Sequence, residues 1–268
     1  MVGQQAPTNP RRPLGALTRW TERIVWGGTI REKLLTWLLR RHYETSFRHL
    51  WQPNRKRPHF THHRLAWFLF GFGSRPMHPY QLFRAFYAAE VLQPEDIVLD
   101  IGCGDGFFTN HFLSAQCAEV DAIDIDPDAI REAKRNNTKA NITYYLRDAV
   151  NEPFPRKTYD VIVWNGAIGH FAIADARIVL QKIATALSPN GIFAGSESLG
   201  REGSDHLQIF ETTRDLTEFF RPHFADVCAK ALRYPVYNTT FVRNEAYWRC
   251  SNSTGRLAKL NWLHAEAR

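Results

Sequence analysis

Cysteine is scarce: the 268-residue chain has four, Cys103, Cys117, Cys228 and Cys250, and no two of them form a C-x-x-C pair. That spacing supports neither a disulfide framework nor a zinc site, and it fits a reducing compartment. Long apolar runs are missing as well. Val161–Ala174, 14 residues without Asp, Glu, Lys or Arg, falls short of the roughly 20 that a spanning helix needs. No membrane-spanning segment is therefore expected. The first ten residues contain Pro7 and Pro10 and no apolar block, so no secretory leader is expected there. There is no internal repeat. With 44% apolar and 23% charged residues, the chain is neither collagen-like, nor low-complexity, nor wholly disordered.

Acidic residues are nearly absent from the first third. Residues 1–78 hold 14 Lys/Arg against 3 Asp/Glu, a net of +11, whereas residues 79–268 hold 20 against 24, a net of −4. The overall +7 hides this asymmetry. It suggests an anionic partner for the first third: a membrane surface, a nucleic acid or an acidic substrate. A solvated basic helix surface is the plainer alternative. Three parts are expected: a basic helical extension over 1–78, with a Pro-rich disordered arm at 1–13, an α/β domain over 79–255, and a tail over 256–268. Within the extension, Thr29 and Glu32 form a capping box ahead of Ile30, Leu34, Leu35, Leu38 and Tyr43 at helical spacing. Pro53–Pro58 reads as a basic loop. His59, His62 and His63 have a metal-like spacing, but beside Arg55–Arg57 and Arg64 they read as part of that loop, and no metal site is expected.

From Ile97 the pattern changes. Short apolar strands are expected at Ile97–Ile101, Val120–Ile125, Ile142–Leu146, Tyr159–Trp164, Ile192–Ser196, Val227–Leu232 and Phe241–Arg249. Helices are expected at Pro79–Leu92, from Pro127 with Asp126 as N-cap, at Asp175–Leu187 and at Arg214–Phe220. Strands alternating with helices imply an open parallel α/β sheet, which binds ligands at the carboxyl ends of its strands, near the topological switch.

The chemistry centres on Asp100-Ile101-Gly102-Cys103-Gly104-Asp105-Gly106. Glycines after a first strand allow a tight turn and the close approach of a ligand. A dinucleotide fingerprint would want a third glycine at position 107, which is Phe, and no Lys-Ser/Thr follows to make a P-loop. Carboxylates crowd the loop: Asp100, Asp105, Asp124 and Asp126. They would repel a pyrophosphate and attract a cation. S-adenosylmethionine carries a sulfonium, an ammonium and a ribose diol that wants a carboxylate acceptor. Asp124, 22 residues after Gly102, stands where an acidic residue reaches a ribose in such sheets. Asp126 reads better as a helix cap.

The series VLDIGCGDGFFT, AIDIDPDAI, LRDAVNEPF, YDVIVWNGAIGHF and ALSPNGIFAGSES resembles, in order and spacing over about residues 95–200, the motifs of class I S-adenosylmethionine-dependent methyltransferases. The resemblance implies a Rossmann-like seven-stranded sheet, mostly parallel with an antiparallel last strand, here preceded by an N-terminal helical extension. It matches Asp100, Gly102 and Gly104 to positions around the methionine moiety and Asp124 to the ribose acceptor. Asp148 with Ala149 matches the residues near the adenine amino group. Asn165 and Gly166 match the segment lining the methionine and the methyl-transfer site. Ile125 matches a position that packs on adenine, with a core role as the alternative. Ser204–Gln208 and Glu245–Ser251 are similar to domains associated with bacterial cell-surface polysaccharide and small-molecule biosynthesis.

A hydroxyl acceptor needs a proton acceptor. His170, after the fourth strand, is the first candidate; Glu197 and His206, after the fifth, are the others. The expected function is S-adenosylmethionine-dependent O-methylation of a small-molecule or glycan hydroxyl, in the cytoplasm, with residues 1–78 as a lid over the acceptor pocket that makes peripheral contacts with an anionic inner-membrane surface; membrane attachment proper and a nucleic-acid arm are the rival roles for that segment. A nucleic-acid methyltransferase and a non-catalytic S-adenosylmethionine-binding scaffold are the alternatives. Asn165-Gly166-Ala167-Ile168 lacks the Asn/Asp-Pro-Pro-aromatic pattern of enzymes that methylate exocyclic base amines, which ranks nucleic acid lower.

Overall fold

The computed structural model describes residues 79–200, 206–235 and 242–257, together with residues 33–35, 37, 38, 41, 63 and 67. The elements are α1 (Pro79–Ala89), β1 (Ile97–Ile101), β2 (Glu119–Asp124), α2 (Pro127–Asn136), β3 (Ile142–Leu146), β4 (Tyr159–Asn165), α3 (Ile173–Ala186), β5 (Leu187–Leu199), α4 (Thr213–Phe220), β6 (Asp226–Pro235) and β7 (Val242–Ser251). They build one seven-stranded sheet in the order β3-β2-β1-β4-β5-β7-β6. The pairs from β3 to β5 are parallel; β7 slots between β5 and β6 antiparallel to both. The expected mostly parallel sheet with an antiparallel last strand is what forms.

Strand alternation feeds two cores, one on each side of the sheet. Leu99, Ile101, Ile162, Trp164 and Phe193 pack with α3 residues Val179, Leu180 and Ile183 and α4 residues Leu216 and Phe220. Val98, Val120, Ala122, Val161, Val163 and Ala194 pack on the other side with Ala88 and Ala89 of α1 and Ile130 and Ala133 of α2. β1 and β4 are neighbours from which the chain winds in opposite directions, so their carboxyl ends flank the topological switch.

Local chemistry sets several ends. Asp126 caps α2 by accepting from the Asp128 N–H, with Pro127 at the first helical position. Thr212 and Asp215 form a capping box on α4. The structure also departs from the expectations. β2 ends at Asp124, which leaves Ile125 outside the strand and 49% exposed. The Ser188–Gly191 turn signal lies inside β5, which starts at Leu187, pairs with Tyr159 and then shifts register before Val161 meets Ile192. Tertiary pairing here overrides the turn propensity. α1 stops at Ala89, before the expected Leu92. Between β1 and β2 lies an unanticipated wide-turn helical segment, Thr109–Leu113.

In the extension, the described residues 33–35, 37, 38, 41, 63 and 67 are helical. The Thr29/Glu32 capping box, the Pro53–Pro58 loop, His59, His62 and the tail from residue 258 lie outside the described residues. Leu257 is buried, and its N–H donates to Asp226.

Candidate functional site

β1 delivers the glycine loop to the switch. Gly102, Gly104 and Gly106 have φ of 71°, 56° and 71°, the left-handed region that glycine enters without a Cβ penalty. Two residues hold the loop from beneath, and neither was singled out in the sequence. Asn137 Nδ2 donates to the Asp105 carbonyl at 2.6 Å, and Tyr144 Oη reaches the Asn137 and Gly106 carbonyls. A Cβ on Gly106 would stand 2.5 Å from that Tyr144 oxygen.

The expected carboxylates converge here. Asp124 Oδ2 accepts from the Gly104 N–H at 2.9 Å and Oδ1 from the Asp126 N–H at 2.8 Å, which ties the end of β2 to the glycine loop. Each oxygen keeps a second lone pair. Burial raises the Asp124 pKa from its ordinary value, and the backbone donors only partly offset this. Asp100 is buried and accepts from Thr109 Oγ1 at 2.6 Å. Burial pushes its carboxyl up to about 6, the Thr109 bond opposing and Asp124 adding to the shift. Burial, together with Asp124, Asp100 and Asp105, also holds the Cys103 thiol protonated. The field in this pocket disfavours added negative charge and favours a cation.

Around the rim, Ile125 is exposed at the β2 exit, so its core role is ruled out in this structure. Ala149 is buried beneath the loop that follows β3. Asp148 turns its carboxylate back on that loop, accepting from the Val150 and Asn151 N–H groups and Asn151 Nδ2; despite some desolvation these bonds lower its pKa. At the β4 exit, Asn165 Oδ1 is buried with no partner among the described residues, and Gly166 has φ of 60°.

The three proton-acceptor candidates meet at one turn, Ile168–His170. Glu197 is buried; its Oε2 accepts from the Gly169 N–H at 3.0 Å and its Oε1 from the Ser198 N–H and hydroxyl. Leu207 N–H and Gln208 N–H donate to the Gly169 carbonyl, and Gln208 Nε2 donates to the Ile168 carbonyl. So fixed, the turn presents His170 to solvent with its ring edge-on to His206, centroids 4.8 Å apart. Glu197 therefore anchors the turn, while His170 is exposed and half-buried His206 lies against Gly169. Among the described residues no group of three or more His, Cys, Asp or Glu is arranged to hold a metal.

The extension touches the site. His63 Nδ1 lies 3.5 Å from Asp105 Oδ1, and its ring packs at 4.5 Å on Phe108. Trp67 packs at 5.9 Å on Phe107.

A glycine loop ringed by carboxylates, at the switch point of a sheet in which the last strand is inserted antiparallel, defines a Rossmann-like methyltransferase domain. Comparison with known proteins agrees: residues 98–191 match the family described as a methyltransferase domain. The ribosomal protein L11 methyltransferase of Paraburkholderia xenovorans (strain LB400) is 29% identical over 168 residues, 61% of this chain and 51% of that protein. The chain thus spans about half the length of the curated relatives it matches. The YcgJ protein from Bacillus subtilis shares the fold with a TM-score of 0.52 at 14% identity, over 65% of this chain and 99% of that one. The N-methyltransferase NodS from Bradyrhizobium japonicum, solved with S-adenosyl-L-homocysteine, does so with a TM-score of 0.51 at 17% identity, over 65% and 88%. Residues 98–191 thus carry the match to a methyltransferase domain, and the sheet around them has the fold of these solved structures.

Proposed function

We propose that the protein binds S-adenosylmethionine at the β1–β4 switch and methylates a hydroxyl of a small molecule or glycan. The observation that carries the reading is the set of carboxylates at the glycine loop, with Asp124 locked against Gly104 and Asp100 buried below it. The residues suit the donor: Asp124 offers two remaining lone pairs to a ribose diol, Asp100 a counter-charge to a cation, Ile125 an exposed apolar face, and Asn165 Oδ1 an unused acceptor. Gly102, Gly104 and Gly166 let the backbone approach, and Asp148 and Ala149 border the base. When bound, the donor supplies an electrophilic methyl on a sulfonium, and in-line displacement then depends mainly on alignment.

The chain's own contribution is to place a base. His170 is the proton acceptor for the hydroxyl, His206 orients its ring, and Glu197 positions the turn that carries it. Residues 63 and 67 act as part of a lid on the glycine loop. Farther out, Leu34, Trp37, Leu38 and Arg41 share one helix face at i, i+3, i+4 and i+7; Leu34, Trp37 and Leu38 are 55%, 54% and 48% exposed. With the +11 charge of residues 1–78, that face suits peripheral contact with an anionic bilayer of the cytoplasmic side. A protein acceptor is the second reading, favoured by the names of the curated relatives.

Incubation with methyl-labelled S-adenosylmethionine and fractionated cell extract tests the proposal. Label in a small-molecule or glycan fraction supports it. Label in protein or nucleic acid replaces the acceptor class, and donor binding with no transfer to any fraction would leave a scaffold.

A further inference from the structure

Two ties between distant elements of the domain join a cation to a carboxylate. Arg84 of α1 donates from Nε to Glu245 Oε1 of β7 at 2.6 Å, and Arg249 of β7 donates to Glu90 Oε2 at 2.6 Å. Lys182, half-buried on α3, makes a tie of another kind. Its ammonium donates to two backbone carbonyls of the loop after β3, that of Ala149 at 2.6 Å and that of Glu152. Nζ also stands 4.8 Å from the centroid of the Phe154 ring, which is buried in the same core as Val179, Leu180 and Ile183 of α3. Burial lowers the Lys182 pKa, Arg147 adds to the fall, and Asp148 and Glu152 oppose it.

The loop gripped in this way carries Asp148. It leaves β3 still tied to β2, since the Arg147 N–H donates to the Asp124 carbonyl at 2.9 Å. It then closes on itself. The Glu152 N–H donates to the Asp148 carbonyl at 3.0 Å, the Asp148 N–H to Glu152 Oε1 at 3.2 Å, and the Val150 and Asn151 N–H groups to Asp148 Oδ1. These internal bonds fix the shape of the loop but not its height above the sheet. Lys182 supplies that restraint, because the two carbonyls it holds draw the loop onto α3. Asp148 Oδ1 has both acceptor positions filled. Oδ2 accepts one bond, from Asn151 Nδ2 at 2.8 Å, and keeps a second lone pair.

We propose that Lys182 is the positioning residue of a base-reading loop: by holding the Ala149 and Glu152 carbonyls it sets the height at which Asp148 Oδ2 accepts from the exocyclic amine of the donor's adenine. This rests on the methyl-donor reading above. An amine at that place gives Oδ2 a donor, whereas a keto oxygen, as in hypoxanthine, sets two acceptors against each other. Lys182 touches no ligand itself, so its effect is read in the choice between the two bases.

The experiment is calorimetric titration of the full chain and of Lys182→Met with S-adenosylhomocysteine and with S-inosylhomocysteine, which carries hypoxanthine in place of adenine. The unaltered protein should bind S-adenosylhomocysteine at least about tenfold more tightly than the inosyl analogue. Lys182→Met, which keeps most of the stem and loses the ammonium, should bring that preference to within about twofold, its affinity for the inosyl analogue staying within about twofold of the unaltered protein's. A variant that is merely less stable weakens both ligands together and leaves the ratio where it was. Asp148→Ala should lose the preference to the same extent. Should Lys182→Met not fold, Lys182→Gln, whose amide is one atom shorter and spans at most one of the carbonyls, takes its place with the same ratio. A preference that survives in the Lys182 variant or in Asp148→Ala, or that is absent from the unaltered protein, overturns this proposal and leaves the donor reading standing. An unaltered protein that binds neither nucleoside overturns the donor reading, and this proposal with it.

Discussion

Lowering the pH from 7 to 5 should weaken nucleoside binding through Asp100. Its carboxyl is buried at the foot of the glycine loop, accepts one bond from Thr109, and titrates at about 6. The ionised fraction then falls from about nine-tenths at pH 7 to about one-tenth at pH 5. If the ammonium of S-adenosylhomocysteine is held by the ionised form, Kd rises roughly tenfold over that range. Folding stability moves the other way. The folded pKa lies above the unfolded value of 3.8, so the contribution of Asp100 is fully present below about 4 and is lost as pH rises through about 6. The loss is about 3 kcal/mol, set by a shift of roughly two units. Asp100→Asn keeps an acceptor for Thr109 and cannot ionise. It should bind S-adenosylhomocysteine weakly at pH 7, with a much flatter slope; the remaining slope belongs to Asp124, whose pKa is also raised. Isothermal calorimetry at half-unit steps and constant ionic strength measures both proteins. The same tenfold slope in the Asn variant would refute the assignment of Asp100.

Asp124→Ala removes the acceptor for the ribose and the tie to Gly104 together, so calorimetric affinity for S-adenosylhomocysteine should fall at least about tenfold; unchanged affinity would remove Asp124 from the site. His170→Ala should lower turnover about 10²–10⁴-fold with donor affinity unchanged, and identical pH–rate profiles in variant and parent would transfer the proton-acceptor role elsewhere. Deletion of residues 1–58 should abolish co-sedimentation with vesicles containing anionic phosphatidylglycerol, and neutral phosphatidylcholine vesicles should bind neither form. Full activity in the deleted protein would dismiss a role for that part of the extension in closing the cleft.

What could be read from the chain was what is local. The glycine loop follows its strand directly, Asp126 precedes Pro127, and alternation marks β1 and β4, so these elements appear within one or two residues of where the sequence puts them. Asp124 was legible because strand length fixes where β2 ends relative to the loop. Features that depend on pairing across the sheet were not. Ser188-Pro189-Asn190-Gly191 carries a strong turn signal, yet β4 recruits it into β5. Ile125 is apolar and adjoins a strand, but its solvent exposure depends on what is absent above the β2 exit. Glu197 has the chemistry of a base in isolation; only the fold shows that it is committed to Gly169. Arg84 and Glu245 are 161 residues apart, and no spacing rule joins them. Asn137 left one legible trace, its place at the end of α2, where an orphan polar group needs a use.

The Arg84–Glu245 bridge also sets an order of events during synthesis. α1 leaves the ribosome early, and at roughly 5–20 residues per second β7 follows about ten to thirty seconds later. Until then Arg84 has no Glu245, and Glu90 of the turn after α1 has no Arg249. A nascent chain that has completed the glycine loop and five parallel strands therefore already carries all of residues 98–191, the stretch that matches a methyltransferase domain, but has an unanchored cation at the β4 exit. Insertion of β7 between β5 and β6 pins that cation. The Arg84–Glu245 pair is thus closed only when the last strand is made, and the two ends of the domain are joined by its final step of synthesis.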